Sequence, residues 1–192
     1  MTRTIVCFGD SNTWGYVPGS NGERLPRESR WPVRLAAALG EGFEVIAEGL
    51  NGRTATFERP DAEGRNGLPY LLPCLLSHAP VDLVVIFLGT NDVNYVQEER
   101  IAACVARLVR VARSSEAGPA WTAPAVLVVC PPPFGGHGLG PSFEEMCAQL
   151  DCPLLDLDGV ASYTDFDVEH LDAAGHAAVA AAVEEHVRRM LT

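Results

Sequence analysis

No stretch of these 192 residues approaches the roughly 20 consecutive apolar residues that a membrane-crossing helix needs. The opening MTRTIVCFGD runs straight into a strand-like segment, with no secretory apolar region and cleavage site ahead of it, so a cytoplasmic location is expected. Basic residues number 14 against 25 acidic ones and form no cluster or stripe. At a formal net charge of -11 a nucleic-acid backbone or an anionic membrane surface would be repelled, whereas a small neutral or cationic ligand is compatible. None of the six cysteines lies in a CxxC pair; Cys7 and Cys130 fall in apolar strand-like runs and Cys104 in a helical pattern, as inert reduced thiols do. Also missing are a GxGxxG turn, a P-loop lysine and the GxSxG elbow of another large hydrolase class. No repeat and no low-complexity tract appears beyond an Ala-rich last helix, and a single domain over 1–192 is expected.

What is present is an alternation. Short β-branched apolar runs at Thr4–Phe8, Phe43–Ala47, Leu83–Leu88, Ala125–Cys130 and Pro153–Leu157 read as strands. Helical patterns lie between and after them, at Trp31–Leu39, Gly67–Ser77, Glu98–Arg113 and Ala173–Met190. Runs apolar on both faces fit strands covered by helices on both sides, joined by right-handed βαβ crossovers. The expected fold class is therefore α/β, a three-layer α/β/α sandwich around a five-stranded parallel sheet.

In such sheets ligands bind beyond the carboxyl ends of the strands. The loops there carry Gly9-Asp10-Ser11 after the first strand, Gly49-Leu50-Asn51-Gly52-Arg53 after the second and Gly89-Thr90-Asn91-Asp92 after the third. Beyond the fifth strand, Asp167 and His170 stand three residues apart, just before a helix that Asp172 can cap. That spacing sets a carboxylate beside an imidazole on one turn; the carboxylate holds the Nδ1 proton and leaves Nε2 free to take a proton from a serine, for which Ser11 is the candidate. Asp165, five residues before His170, is awkward for the same turn. Attack by a serine on a carbonyl also requires donors for the oxyanion: the backbone N–H groups of Ser11 and Gly52 and the Asn91 side-chain amide are the candidates.

The combination resembles the SGNH hydrolases, also called GDSL-type esterases. Its four blocks occur in order: GDS with Ser11, the block-two glycine at Gly52, GTND with Asn91, and DxxH with Asp167 and His170. FGDSNTWGYVP, EGLNGRT and VLVVCPPP are most similar to the arylesterase and acyltransferase branch. The resemblance implies a flavodoxin-like fold and hydrolysis of small acyl esters through an acyl-serine, with no metal or other cofactor; transfer of the acyl group and a homo-oligomer are carried over from that branch. Asn12 departs from the leucine the family often has after the serine, and 131–154 is short beside the helical insertion of the transferases.

Neighbouring residues in these loops admit more than one role. Trp14 and Tyr16 either line an acyl or alcohol pocket or are core packing. Arg53 is expected to tie down its own loop rather than bind substrate, and His176 to be a surface or capping histidine. His137 and Phe134 sit in a Gly-rich loop that could border the pocket. Asp10 and Asp92, with Asn91 and His170, could form a metal-dependent phosphoesterase site, but they are expected to fix their loops by accepting backbone N–H groups. A flavodoxin-like nucleotide or phosphate binder is the remaining alternative.

Overall fold

The computed structural model describes residues 2–191. Strands β1 (Arg3–Gly9), β2 (Phe43–Gly49), β3 (Leu83–Phe87), β4 (Ala125–Cys130) and β5 (Leu154–Asp156) form one parallel sheet in the order β2-β1-β3-β4-β5. Every side chain of β3 is buried, as its unbroken LVVIF run requires, while on the edge strand β2 Glu44 and Ala47 are exposed and the other residues half-buried.

The described residues also form six α-helices: α1 (Ser11–Trp14), α2 (Trp31–Leu39), α3 (Gly67–Ser77), α4 (Glu98–Arg113), α5 (Gly140–Leu150) and α6 (Ala173–Leu191). α2 packs on α6, and α4 lies between α3 and α5, so both faces of the sheet are covered. The chain leaves β1 toward β2 and returns to β3 on the other side of β1, which puts the reversal of strand order between β1 and β3. There Gly9 pairs in register with Gly49 and with Phe87, so three consecutive strand ends finish level and release their loops along one edge. Among the described residues no helix is long and apolar enough to cross a membrane.

Two helices escape the sequence pattern. α1 is a single turn, too short for a periodicity. α5 begins inside the run PPPFGGHGLGP; its Pro141 sits in the first turn, where the missing N–H is one that no helical bond would use. All six cysteines are free thiols and five are buried.

His176 corrects the expectation of a surface or capping residue. It is wholly buried, and its Nδ1 accepts the Trp31 backbone N–H at 3.2 Å, joining α6 to the start of α2. Burial pulls its pKa down to about 4, so the ring is neutral at pH 7. The spacing His176, Val179, Ala180, Val183, Val187 is that of the buried stripe of α6.

Candidate active site

β1 ends at Gly9, where the next turn folds back onto the ends of β1 and β2. A Cβ there would overlap the Thr13 side chain and stand 2.9 Å from the Phe87 carbonyl oxygen. The buried Asp10 then starts α1, its Oδ1 accepting the Asn12 N–H at 2.9 Å, and Gly15 closes the turn in the left-handed region at φ 92°. This one turn presents Ser11 at the sheet edge.

The structure brings Ser11, His170 and Asp167 together. His170 Nε2 lies 3.0 Å from Ser11 Oγ, and its Nδ1 lies 2.8 Å from Asp167 Oδ2. Asp167 is itself held: Oδ1 accepts the backbone N–H groups of Glu169 at 3.0 Å and His170 at 2.8 Å, and Oδ2 accepts the Gly19 N–H at 2.8 Å. Burial pushes the Asp167 carboxyl upward, but these donors and the imidazole outweigh it and hold the carboxyl below its ordinary value, so it is ionised. Asp165 is exposed. Between Asp167 and Glu169, Val168 is forced to φ 52°, a conformation that a β-branched residue adopts at a cost on the order of 1–3 kcal/mol.

The second and third loops meet beside Ser11. Gly52 takes φ 72°, which a side chain would disfavour. The Asn91 amide donates to the Arg53 carbonyl at 3.2 Å and to Asp10 Oδ2 at 3.4 Å, so one side chain touches all three loops. Arg53 is buried and spans the strand ends: its Nη1 donates to the carbonyl oxygens of Gly9, at 2.8 Å, and of Glu48, and its guanidinium lies 4.2 Å from the Phe8 ring centroid. That is the tying-down role expected of it. Asp92 likewise accepts the Ala55 N–H, 3.0 Å from each carboxylate oxygen. Burial raises Asp10 to about 6 and Asp92 to about 7.

Tyr16 and Trp14 fall unequally. The Tyr16 ring stacks on the His170 ring, whereas Trp14 stands one layer back, tilted against Tyr16 with centroids 6.4 Å apart and under the Arg24 guanidinium at 4.6 Å. His137 Nδ1 is 2.7 Å from Glu98 Oε2, and Phe134 is buried edge-on to Tyr163. The residue that the sequence left without a reason, Asn12, is buried, and its side chain bonds to the backbone on both sides of His170. No sequence pattern announces that contact, because its partners are backbone groups 157 and 159 residues away. Among the described residues, three metal-type donors converge only at Glu48, Cys74 and His78, none of which belongs to this site.

Ser11, His170 and Asp167 thus stand in hydrogen-bonded sequence at the level edge of a parallel sheet in a three-layer α/β/α fold. The GDSL-like lipase/acylhydrolase family matches residues 7–178, and the chain belongs to it and so to the hydrolases acting on ester bonds. Its fold closely matches solved structures of similar length. A carbohydrate acetylesterase family member from Sinorhizobium meliloti is 37% identical, with 99% of each chain covered and a TM-score of 0.91. The inhibitor-bound M. smegmatis aryl esterase is 35% identical over 99% of this chain and 100% of that one, with a TM-score of 0.92. A second Sinorhizobium meliloti carbohydrate acetylesterase, Est24, is 32% identical with the same coverage and a TM-score of 0.93. Among curated proteins none matches.

Proposed function

We propose that the protein is a serine esterase that hydrolyses small acyl esters through an acyl-serine intermediate, with Ser11 as nucleophile, His170 as general base and Asp167 as the carboxylate that orients it. The observation that carries this reading is the unbroken relay from Ser11 Oγ to His170 Nε2 at 3.0 Å and from His170 Nδ1 to Asp167 Oδ2 at 2.8 Å. As Oγ attacks the ester carbonyl carbon, His170 takes its proton, and the Asp167 carboxylate stabilises the imidazolium that forms. The carbonyl π electrons move onto oxygen, and the Ser11 and Gly52 N–H groups receive the oxyanion together with the Asn91 amide, which gives up its long 3.4 Å bond to Asp10 to do so. Collapse of this intermediate breaks the bond to the alcohol, which leaves with the proton from His170. In the second half His170 deprotonates a water that attacks the acyl carbonyl, the bond to Ser11 Oγ breaks as Oγ takes that proton from His170, and the acid departs; an alcohol in place of the water gives a new ester by acyl transfer.

The similarity to carbohydrate acetylesterases and an aryl esterase supports a short acyl group on a sugar or aryl alcohol. Tyr16, stacked on the base, forms a wall of the acyl or alcohol pocket, with Trp14 behind it. Free, mostly buried thiols fit a cytoplasmic setting. Hydrolysis of p-nitrophenyl acetate, lost in Ser11→Ala, together with stoichiometric labelling of Ser11 by a fluorophosphonate, is the expected result. Full activity in Ser11→Ala would sink the reading, and hydrolysis that a chelator abolishes would favour metal-dependent phosphoester chemistry instead.

A further inference from the structure

The Asn12 side chain makes two complementary bonds to one short stretch of backbone. Its Nδ2 donates to the Glu169 carbonyl oxygen at 3.0 Å, and its Oδ1 accepts the Leu171 N–H at 3.0 Å. A carbonyl on one side and an N–H on the other allow only one orientation of the amide, so oxygen and nitrogen are fixed by their partners. The two partners flank His170, and Asn12 follows Ser11 within the same helical turn. The Ser11–His170 hydrogen bond is therefore closed into a small ring, Ser11 to Asn12 through the chain, Asn12 to Leu171 through a hydrogen bond, Leu171 to His170 through the chain, and His170 Nε2 back to Ser11 Oγ.

We infer that Asn12 is a positioning residue for the reaction proposed above, setting the distance and angle between Ser11 Oγ and His170 Nε2 by clamping the backbone on both sides of the histidine. Asp167 holds the ring together with the Glu169 and His170 N–H groups of its own segment, and Tyr16 stacks on the ring; Asn12 adds bonds from α1 itself to the backbone on both sides of the histidine. Burial makes the constraint stiff at the Leu171 bond, where water is kept from competing, while the Glu169 bond is only part-buried. Leu171 is fully buried, so its N–H depends on Asn12, whereas Glu169 is exposed and its carbonyl is nearer to solvent. The acceptor half of the amide is thus the more important one. Aspartate keeps an acceptor and loses the donor; leucine loses both.

The test is steady-state hydrolysis of p-nitrophenyl acetate by Asn12→Leu and Asn12→Asp, with rates expressed per site titrated by a fluorophosphonate. The expected result is a fall in kcat/KM of about 10- to 100-fold for Asn12→Leu, carried by kcat with KM little changed, and a smaller fall for Asn12→Asp, as displacement of an aligned proton acceptor produces. A residue that only stabilises the fold would lower the melting temperature or the titratable fraction and leave turnover per titrated site unchanged; that outcome in either folded variant overturns the inference. Should Asn12→Leu not fold, Asn12→Asp carries the comparison. Wild-type protein in which the fluorophosphonate fails to label Ser11 would remove the esterase reading itself, which is a separate result.

Discussion

The Tyr16 ring lies against the His170 ring, with centroids 4.3 Å apart and planes 23° from parallel. The same tyrosine donates its hydroxyl to the Ser20 carbonyl at 2.7 Å and accepts the Gly22 N–H at 3.2 Å, so the loop after α1 is folded around a ring that is also in contact with the proposed base. Stacked aromatic pairs contribute about 0.5–1.5 kcal/mol beyond their buried area, which sets the scale of the effect. Tyr16→Ala is expected to lower kcat/KM on p-nitrophenyl acetate by about tenfold, while Tyr16→Phe, which keeps the stack, stays within about threefold of wild type. Equal losses in the two variants would assign the effect to the hydroxyl and the loop rather than to the ring.

Asn91 offers a graded comparison with Ser11. Removing one oxyanion donor costs about 10²–10³ in turnover, whereas removing a nucleophile that acts together with its base eliminates nearly all of it. Asn91→Ala is therefore expected to retain measurable hydrolysis at about 0.1–1% of the wild-type kcat, and Ser11→Ala none above background. Because the Asn91 amide also braces Asp10 and the Arg53 carbonyl, thermal melting of Asn91→Ala separates a lost donor from collapsed loops. An Asn91→Ala protein with native melting and native kcat would remove Asn91 from the donor set.

Val168 is under local backbone strain at φ 52° and is exposed. Asparagine tolerates the left-handed region far better than a β-branched residue. Val168→Asn is expected to raise stability by about 1 kcal/mol, read from the urea midpoint at constant slope. A lower midpoint would mean that contacts of the valine side chain support the conformation.

The sheet was legible because its signal is dense: five apolar runs account for all five strands, with ends displaced by at most two residues. The loops bearing Ser11, Gly52 and Asn91 could be placed on one edge from strand alternation alone, since parallel strands all point the same way. Asp167 and His170 were legible as a pair through their spacing on a single turn. Tyr16 was legible as a pocket candidate, but its stack on His170 and the Asn12 bonds were not, because those partners are defined by how the chain returns to the sheet edge after α5 and β5, and nothing local to residues 12–16 encodes that return. His176 was misread for a different reason: its Ala-rich neighbours hide which face of α6 is apolar until the valines at 179, 183 and 187 are counted as one stripe with it.

His176 also gives a pH dependence with a defined sign. Its folded pKa, about 4, lies below the ordinary value of 6.5, so below pH 6.5 the unfolded chain binds a proton that the folded chain refuses. The stability that this group preserves is complete above pH 6.5 and is lost as pH falls through 4, by up to roughly 3 kcal/mol. Asp10 and Asp92 act in the opposite direction: their raised folded values favour the folded state at low pH, and that contribution is lost as pH rises through about 6 and about 7. The difference between wild type and His176→Asn isolates the histidine, since asparagine can still accept the Trp31 N–H. Urea midpoints from pH 7 to pH 4 are expected to fall less in the variant; parallel curves would show that His176 is protonated in the fold.

The hydrogen bond from the Gly19 N–H to Asp167 Oδ2 joins two segments that recombination would treat as independent modules, since 148 residues separate them in the chain. Together with the Tyr16–His170 stack, it makes the stretch after α1 a structural complement of the segment that carries Asp167 and His170. A chimera that borrows one segment from a relative while keeping the other would mismatch both contacts at once. Efforts to widen the site for bulkier alcohols therefore have to exchange residues 15–25 and 163–172 as a matched set.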